Sequence, residues 1–181
     1  MKKLNAGIGM LLAGLLVLTL SAQSTTTMGE NPTVVVGTFD SRGVLFAYVG
    51  SDEFKDYLSA QQADVGRALE RARGAGDEEL VAKLDALGPA MQKRIHEQGF
   101  GTAPVDDIIA RIEDKLPDIA KQAGVEVIVS KWTLAYQSPA AKFVDVTDLL
   151  VAEFDPNEET LQGIREIVAQ APVPLDQLGD H

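Results

Sequence analysis

About seventy residues of helical patterning separate one short strand-like run from three others, and this spacing constrains the fold more than any other feature of the chain. TVVVGTF, residues 33–39, is β-branched and reads as a strand. VEVIVS, WTLAYQ and KFVDVT follow one another closely between residues 125 and 147. A chain that leaves one strand, travels far in helix and returns to neighbouring strands must fold the excursion back on itself. The expected β body draws on residues 33–38, 125–130, 132–137 and 143–147. SRGVLFAYVG, between the first strand and the excursion, reads as a short helix or turn ending at Gly50.

The excursion carries a narrow apolar stripe. Phe54, Leu58, Val65, Leu69, Ala72, Leu80, Leu84 and Leu87 recur at helical spacing, then Met91, Ile95, Val105, Ile108, Ile112, Leu116, Ile119 and Ala123. Three glycine-containing breaks compete for the reversal: GAGD at 74–77, LGP at 87–89 and GFGTAP at 99–104. The middle one leaves limbs of matched length, 37 residues from Ser51 to Leu87 and 35 from Pro89 to Ala123. Each straight limb would reach ~50 Å. GAGD is the second choice, and Pro117 predicts a kink in the returning limb.

A few strands and one short helix make a poor core. Hydrophobic residues form 45% of the chain but aromatics only 6%, so self-association is the expected remedy. The net charge of −11 disfavours nucleic acid as a partner. Cysteine is absent, which excludes thiolate metal sites, thiol catalysis and disulfides. No nucleophile elbow, phosphate loop or dinucleotide fingerprint occurs, and no enzymatic activity is expected.

MKKLNAGIGMLLAGLLVLTLSAQS has the layout of a secretory signal: Lys2 and Lys3, an apolar run from Ala6 to Leu20, then small and polar residues. Fifteen residues are short for a membrane span, which needs about 20. Residues 1–24 are therefore read as a signal, 25–32 as a linker, and the protein as exported. Losing Lys2 and Lys3 takes the charge two units down, from −11 to −13.

The C-terminal third carries a family likeness. Ala120 and Gly124 close a helix, VEVIVS follows, then LAY with Tyr136, then DVT at Asp145 to Thr147 opening another helix. This succession resembles the Skp (OmpH-like) periplasmic chaperones over roughly residues 33–154, and VVVGTFDSRGVLFAY matches the family's strand and short helical turn. The resemblance implies a periplasmic homotrimer whose strands build a shared β body. Three helical hairpins project from that body and hold unfolded outer-membrane proteins, without ATP, cofactor, metal or catalytic residue.

The expected fold class is α+β, with a small β body (33–50 and 124–154) shared in the trimer and a long projecting helical arm (51–123). Residues 155–181 form an extension with a short amphipathic helix over 159–170 and a loose tail. Candidates for client contact are Phe54, Leu58, Val65, Leu69, Met91, Ile95 and Phe100. Candidates for the oligomeric body are Val34, Val36, Val127, Val129, Trp132 and Tyr136. The alternative is a non-catalytic structural or adaptor oligomer of the envelope with one dedicated partner. It draws on an acidic arm: residues 52–99 carry seven Lys or Arg against ten Asp or Glu. Contact with a membrane surface is left open.

Other polar groups read as structural. Asp106-Asp107 and Glu158-Glu159 suit helix N-termini. DSR at 40–42 and SDEF at 51–54 suit turns and caps, and Asp145 or Thr147 can cap the helix that follows. His96 reads as a solvated helix residue. The clusters Arg67, Arg71, Arg73 and Lys93, Arg94, His96 read as solvated faces.

The export signal has a direct check. Mass spectrometry of the exported protein should show a chain beginning at Gln23 or Thr25; an intact Met1 start would refute cleavage.

Overall fold

The computed structural model describes residues 34–178. The export signal, the linker and His181 lie outside the described residues. The described chain is α+β, mostly helical, with one three-stranded parallel sheet.

β1 (Val35–Phe39) passes through Asp40 into α1 (Ser41–Gly50). The Asp40 carboxylate accepts the Arg42 amide at 3.0 Å, which satisfies one donor that the helix start leaves free. α1 is buried along almost its whole length and is the hub of the core: Val44, Leu45, Ala47 and Tyr48 are all at most 5% exposed.

α2 (Asp52–Ala75) begins at Ser51, whose Oγ accepts the Phe54 amide at 3.2 Å. It ends at Gly76, which takes φ 67°, a left-handed conformation that suits glycine. The Asp77 amide then reaches back to the Ala72 carbonyl at 3.0 Å and the Gly76 amide to Arg73 at 3.2 Å, the pattern of a Schellman cap. Asp77 accepts the Leu80 amide at 3.0 Å and so opens α3 (Glu78–Asp85). α4 (Leu87–Gly99) continues after Ala86.

The chain therefore reverses at GAGD and not at LGP. Gly88 and Pro89 sit in the first turn of α4, where the amide that proline lacks has no obligatory helical partner. The hairpin limbs are accordingly shorter than expected, about 36 Å for the 24 residues of α2.

The second correction concerns the end of the hairpin. At GFGTAP the Gln98 side-chain amide donates to the Pro104 carbonyl at 2.7 Å and to the Asp107 carboxylate at 3.2 Å, which turns the chain out of α4. α5 (Asp106–Ile109), a 3-10 stretch (Ala110–Lys115) broken at Ile112, and α6 (Leu116–Ala123) follow. Val105, Ile108, Ile112 and Ile119 are buried in one cluster with Val44 and Leu150. The arm expected over 51–123 is thus a hairpin over 52–99, and residues 105–123 belong to the body. Pro117 stands at the start of α6, where its fixed φ fits a helix, so it makes no kink there.

α6 ends at Gly124 with φ 66°, and the Val125 amide bonds the Ala120 carbonyl at 2.9 Å. β2 (Val127–Ser130) then pairs parallel with β1, Val36 opposite Val127. β3 (Lys142–Asp145) pairs parallel on the other side of β1, Val36 opposite Phe143. WTLAYQ, expected as a strand, is none. The Ser130 Oγ accepts the Trp132 amide at 3.4 Å and the Thr133 hydroxyl donates to the Ser130 carbonyl at 2.8 Å, so a 3-10 turn forms at Lys131–Thr133. Both sides of β1 are already occupied, and among the described residues 132–137 pair with no strand.

The Asp145 carboxylate accepts the Thr147 amide at 2.8 Å ahead of α7 (Thr147–Ala152). Asn157 caps α8 (Glu158–Val168), with Glu158 and Glu159 in its first turn as expected. α8 packs on α1 and buries Ile164. The tail after it is not loose over 171–178: the Val173 amide donates to the Phe100 carbonyl at 2.8 Å, and Leu175–Gln177 make a 3-10 turn. Among the described residues no helix is long and apolar enough to cross a membrane.

The place of the reversal sets a test. Gly76→Ala forces an L residue into the left-handed region and should cost about 1–2 kcal/mol. Gly88→Ala, inside a helix, should be neutral or stabilise by up to ~1 kcal/mol. Urea unfolding with native-state exchange of the hairpin amides measures both; the opposite ranking would move the reversal to LGP.

Candidate functional site

Two features stand out, a buried ion cluster in the body and an open apolar groove on the hairpin. The cluster forms where the strands end. Asp40 is 2% exposed and Arg42 1%, and the guanidinium grips the carboxylate at both oxygens, Nη2 to Oδ2 at 2.7 Å and Nε to Oδ1 at 3.0 Å. Lys131, just past β2, adds its Nζ to the same carboxylate at 2.7 Å. The Asp40 amide donates to the Thr147 hydroxyl at 2.9 Å, and Arg42 Nη1 donates to the Gln170 carbonyl at 3.0 Å. Trp132 covers the charges, its ring centre 5.2 Å from the Arg42 guanidinium and 4.5 Å from Lys131.

Burial alone would push the Asp40 carboxyl up. The hydrogen bonds from Arg42 and Lys131 outweigh it and hold the group below the usual carboxylate range. The cap expected at Asp40 is present, but sequence reading missed the network built on it. An arginine two residues after an aspartate, leading into the apolar run VLFAYV, was the available signal. The cluster spends its donors and acceptors between α1, α7 and the segments that follow β1, β2 and α8, so it fastens these parts together.

The groove lies between the hairpin limbs, with a volume of about 250 Å³. Leu58, Val65 and Leu69 of α2 face Leu87 and Met91 of α4, with Gln61 and Gln62 as polar lining. Four of the client-contact candidates, Leu58, Val65, Leu69 and Met91, thus come together. Leu87 belongs with them but was assigned only to the general stripe. A pocket that encloses a small molecule measures about 300–1,000 Å³; this open groove is smaller and suits single side chains.

The other candidates lie elsewhere. Phe54 is 8% exposed and packs edge-on against Tyr48 at 5.2 Å, so it serves the core. Ile95 lines a smaller cavity at the hairpin root with Phe54 and Met91. Phe100 sits in the loop after α4 against Phe46 and His96, at 5.9 and 5.7 Å. His96 is therefore partly buried against an aromatic ring, not fully solvated.

Among the body candidates, Val36 and Val129 lie in the sheet and are partly buried. Val34, Val127 and Tyr136 are exposed, Tyr136 at 79%. Trp132 belongs to the ion cluster, and its indole N–H has no hydrogen-bond partner.

At the hairpin root Arg111 lies 4.6 Å over the Tyr48 ring and pairs with Glu53 of α2. Burial raises the Tyr48 phenol above its ordinary value, against the opposing charge of Arg111. Asp107 accepts from Arg94 at 2.9 Å, and Arg67 and Arg73 pair with Asp64 and Asp85. Among the described residues no group of three or more His, Cys, Asp or Glu side chains is placed to hold a metal ion. Comparison of the chain with protein-family models, with curated proteins and with solved structures finds no match.

Asp40→Ala leaves Arg42 buried without its partner and should cost about 3–5 kcal/mol at neutral pH. Because the native carboxyl is held below its unfolded value, its contribution is complete above the usual carboxylate range. It is lost as the pH falls below about 4 and through the depressed native value. The gap between parent and variant in urea should therefore narrow in acid; a gap that does not change with pH would remove the charge pair as its cause.

Proposed function

We propose that the protein is an ATP-independent holdase of the periplasm, a homotrimer that binds unfolded outer-membrane or exported proteins between its hairpins. The observation that carries this reading is the open groove of Leu58, Val65, Leu69, Leu87 and Met91. Shallow apolar contact without a deep, shaped pocket suits clients of varied sequence. The outer part of the hairpin supports it: between residues 59 and 90 only Ala72 is buried, and it stands outside the core cluster. Such a segment is free to project and to move.

The sheet supports association. Three parallel strands with outer edges at β2 and β3 offer unpaired backbone groups, Val127 of β2 is exposed, and so are Val34 before β1 and Tyr136 in the connection from β2 to β3. Strands shared between copies would cover both, and residues 134–137, which pair with no strand among the described residues, are available to join such a body. The likeness to Skp chaperones at Ala120, Gly124, Tyr136 and Asp145 to Thr147 points the same way.

Light scattering of the mature chain should give three copies, and excess protein should suppress the aggregation of a diluted, denatured porin. Val65→Asp with Leu69→Asp, both at partly exposed positions, should abolish most of that protection and leave the trimer intact. A stable monomer, or aggregation unchanged by the parent protein, would defeat the proposal. Capture of one partner in fixed ratio would instead favour an envelope adaptor.

A further inference from the structure

We propose that the segment after α8, residues 170–178, is a clasp that fastens the returning limb of the hairpin to the body and limits how far the hairpin swings. One end is held in the body, where the Gln170 carbonyl accepts from the buried Arg42 at 3.0 Å. The other end is held on the loop that closes α4. The Val173 amide donates to the Phe100 carbonyl at 2.8 Å. Leu175 and Leu178 lie directly on Gly101: a Cβ placed there would come within 2.6 Å of Leu175 Cδ2 and 2.9 Å of Leu178 Cδ1. Gly101 is buried under them.

The hairpin root itself is incompletely packed. A cavity of about 100 Å³ lies at the junction of the limbs and the core, lined by Leu45, Tyr48, Phe54, Tyr57, Met91 and Ile95 among others. The Tyr48 hydroxyl beside it has no hydrogen-bond partner. Packing that leaves such space at a junction lets the joined elements shift without breaking a close fit. The outgoing limb is secured through Ser51 and Phe54, and the returning limb through Ile95 and the buried Gln98; the clasp crosses the loop that follows, at Phe100 and Gly101. The grip is slight enough to release: Val173 is 38% exposed, Leu175 46% and Phe100 41%. A contact of this kind can open while the core stays folded.

The clasp stands on these contacts alone; its consequence for clients rests on the holdase reading. In that reading a closed clasp holds the hairpins at one spacing and an open one lets them take larger clients.

The chain has no cysteine, so paired labels at Glu78→Cys, near the hairpin tip, and Asp148→Cys, on α7, report the hairpin position. They are placed in the mature chain, diluted with unlabelled copies, with and without Leu175→Ser and Leu178→Ser. A second variant ends the chain at Gln170. Both releases should broaden the distance distribution and speed exchange of the amides at 96–104 about tenfold or more, while protection of β2 stays unchanged. Unchanged distances and exchange would show a passive tail; equal loss of protection in β2 would make the tail a part of the core. Either result overturns the clasp. Released variants should also protect a large unfolded porin better than the parent. Failure of every chain to protect would sink the holdase reading and leave the labels to decide the clasp, whereas equal protection by all would cancel its role in client size.

Discussion

A single buried carboxylate organises the body. Asp40 stands between β1 and α1, and its own backbone and side chain reach Arg42, Lys131 and Thr147, while Arg42 extends the chain of contacts to Gln170. Residues as far apart in sequence as Asp40, Lys131, Thr147 and Gln170 thereby share one hydrogen-bonded cluster. Such a cluster demands that every member be in place, because a buried charge without its partner is costly. The demand orients α1, and α1 in turn supplies the apolar surface on which α2, α4, α7 and α8 meet.

From that hub the hairpin follows a different physical regime. Its limbs meet along a thin stripe and at the exposed Arg73–Asp85 pair, which contributes little. The body concentrates its burial in α1, α5, α7 and the 3-10 segment, and the hairpin is left with apolar side chains only partly covered. Stability and exposed apolar surface are thus kept in separate parts of one chain. The proposed holdase requires this division, since a site that collapsed on itself could not receive unfolded segments.

Much of this was legible in the residues. The β-branched runs at 35–39 and 127–130, the amphipathic helix at 158–168 with its first-turn acids, and the cap at Ser51 follow from local chemistry, whereas α7 starts at Val146 without the side-chain cap expected from Asp145 or Thr147. Four groove residues were legible as well, because a stripe at helical spacing must meet another stripe. The end of the hairpin was less so. Val105, Ile108 and Ile112 continue the same periodicity, and nothing in spacing says whether a stripe faces a partner helix or a core. Limb matching chose LGP for the reversal, whereas Gly76 could adopt the left-handed turn and Pro89 could be absorbed in a first helical turn.

The residues by themselves determined the strands at 35–39 and 127–130, the starts of α2 and α8, and which faces are apolar. Those properties depend on neighbours a few positions away, through caps, periodicity and proline or glycine geometry. Only the tertiary structure decided that Asp40, Arg42 and Lys131 share one buried cluster, that residues 105–123 enter the body, and that the tail returns to Phe100 and Gly101. Each of these joins residues separated by tens of positions, where the choice of partner depends on the packing of the whole chain and not on any local preference.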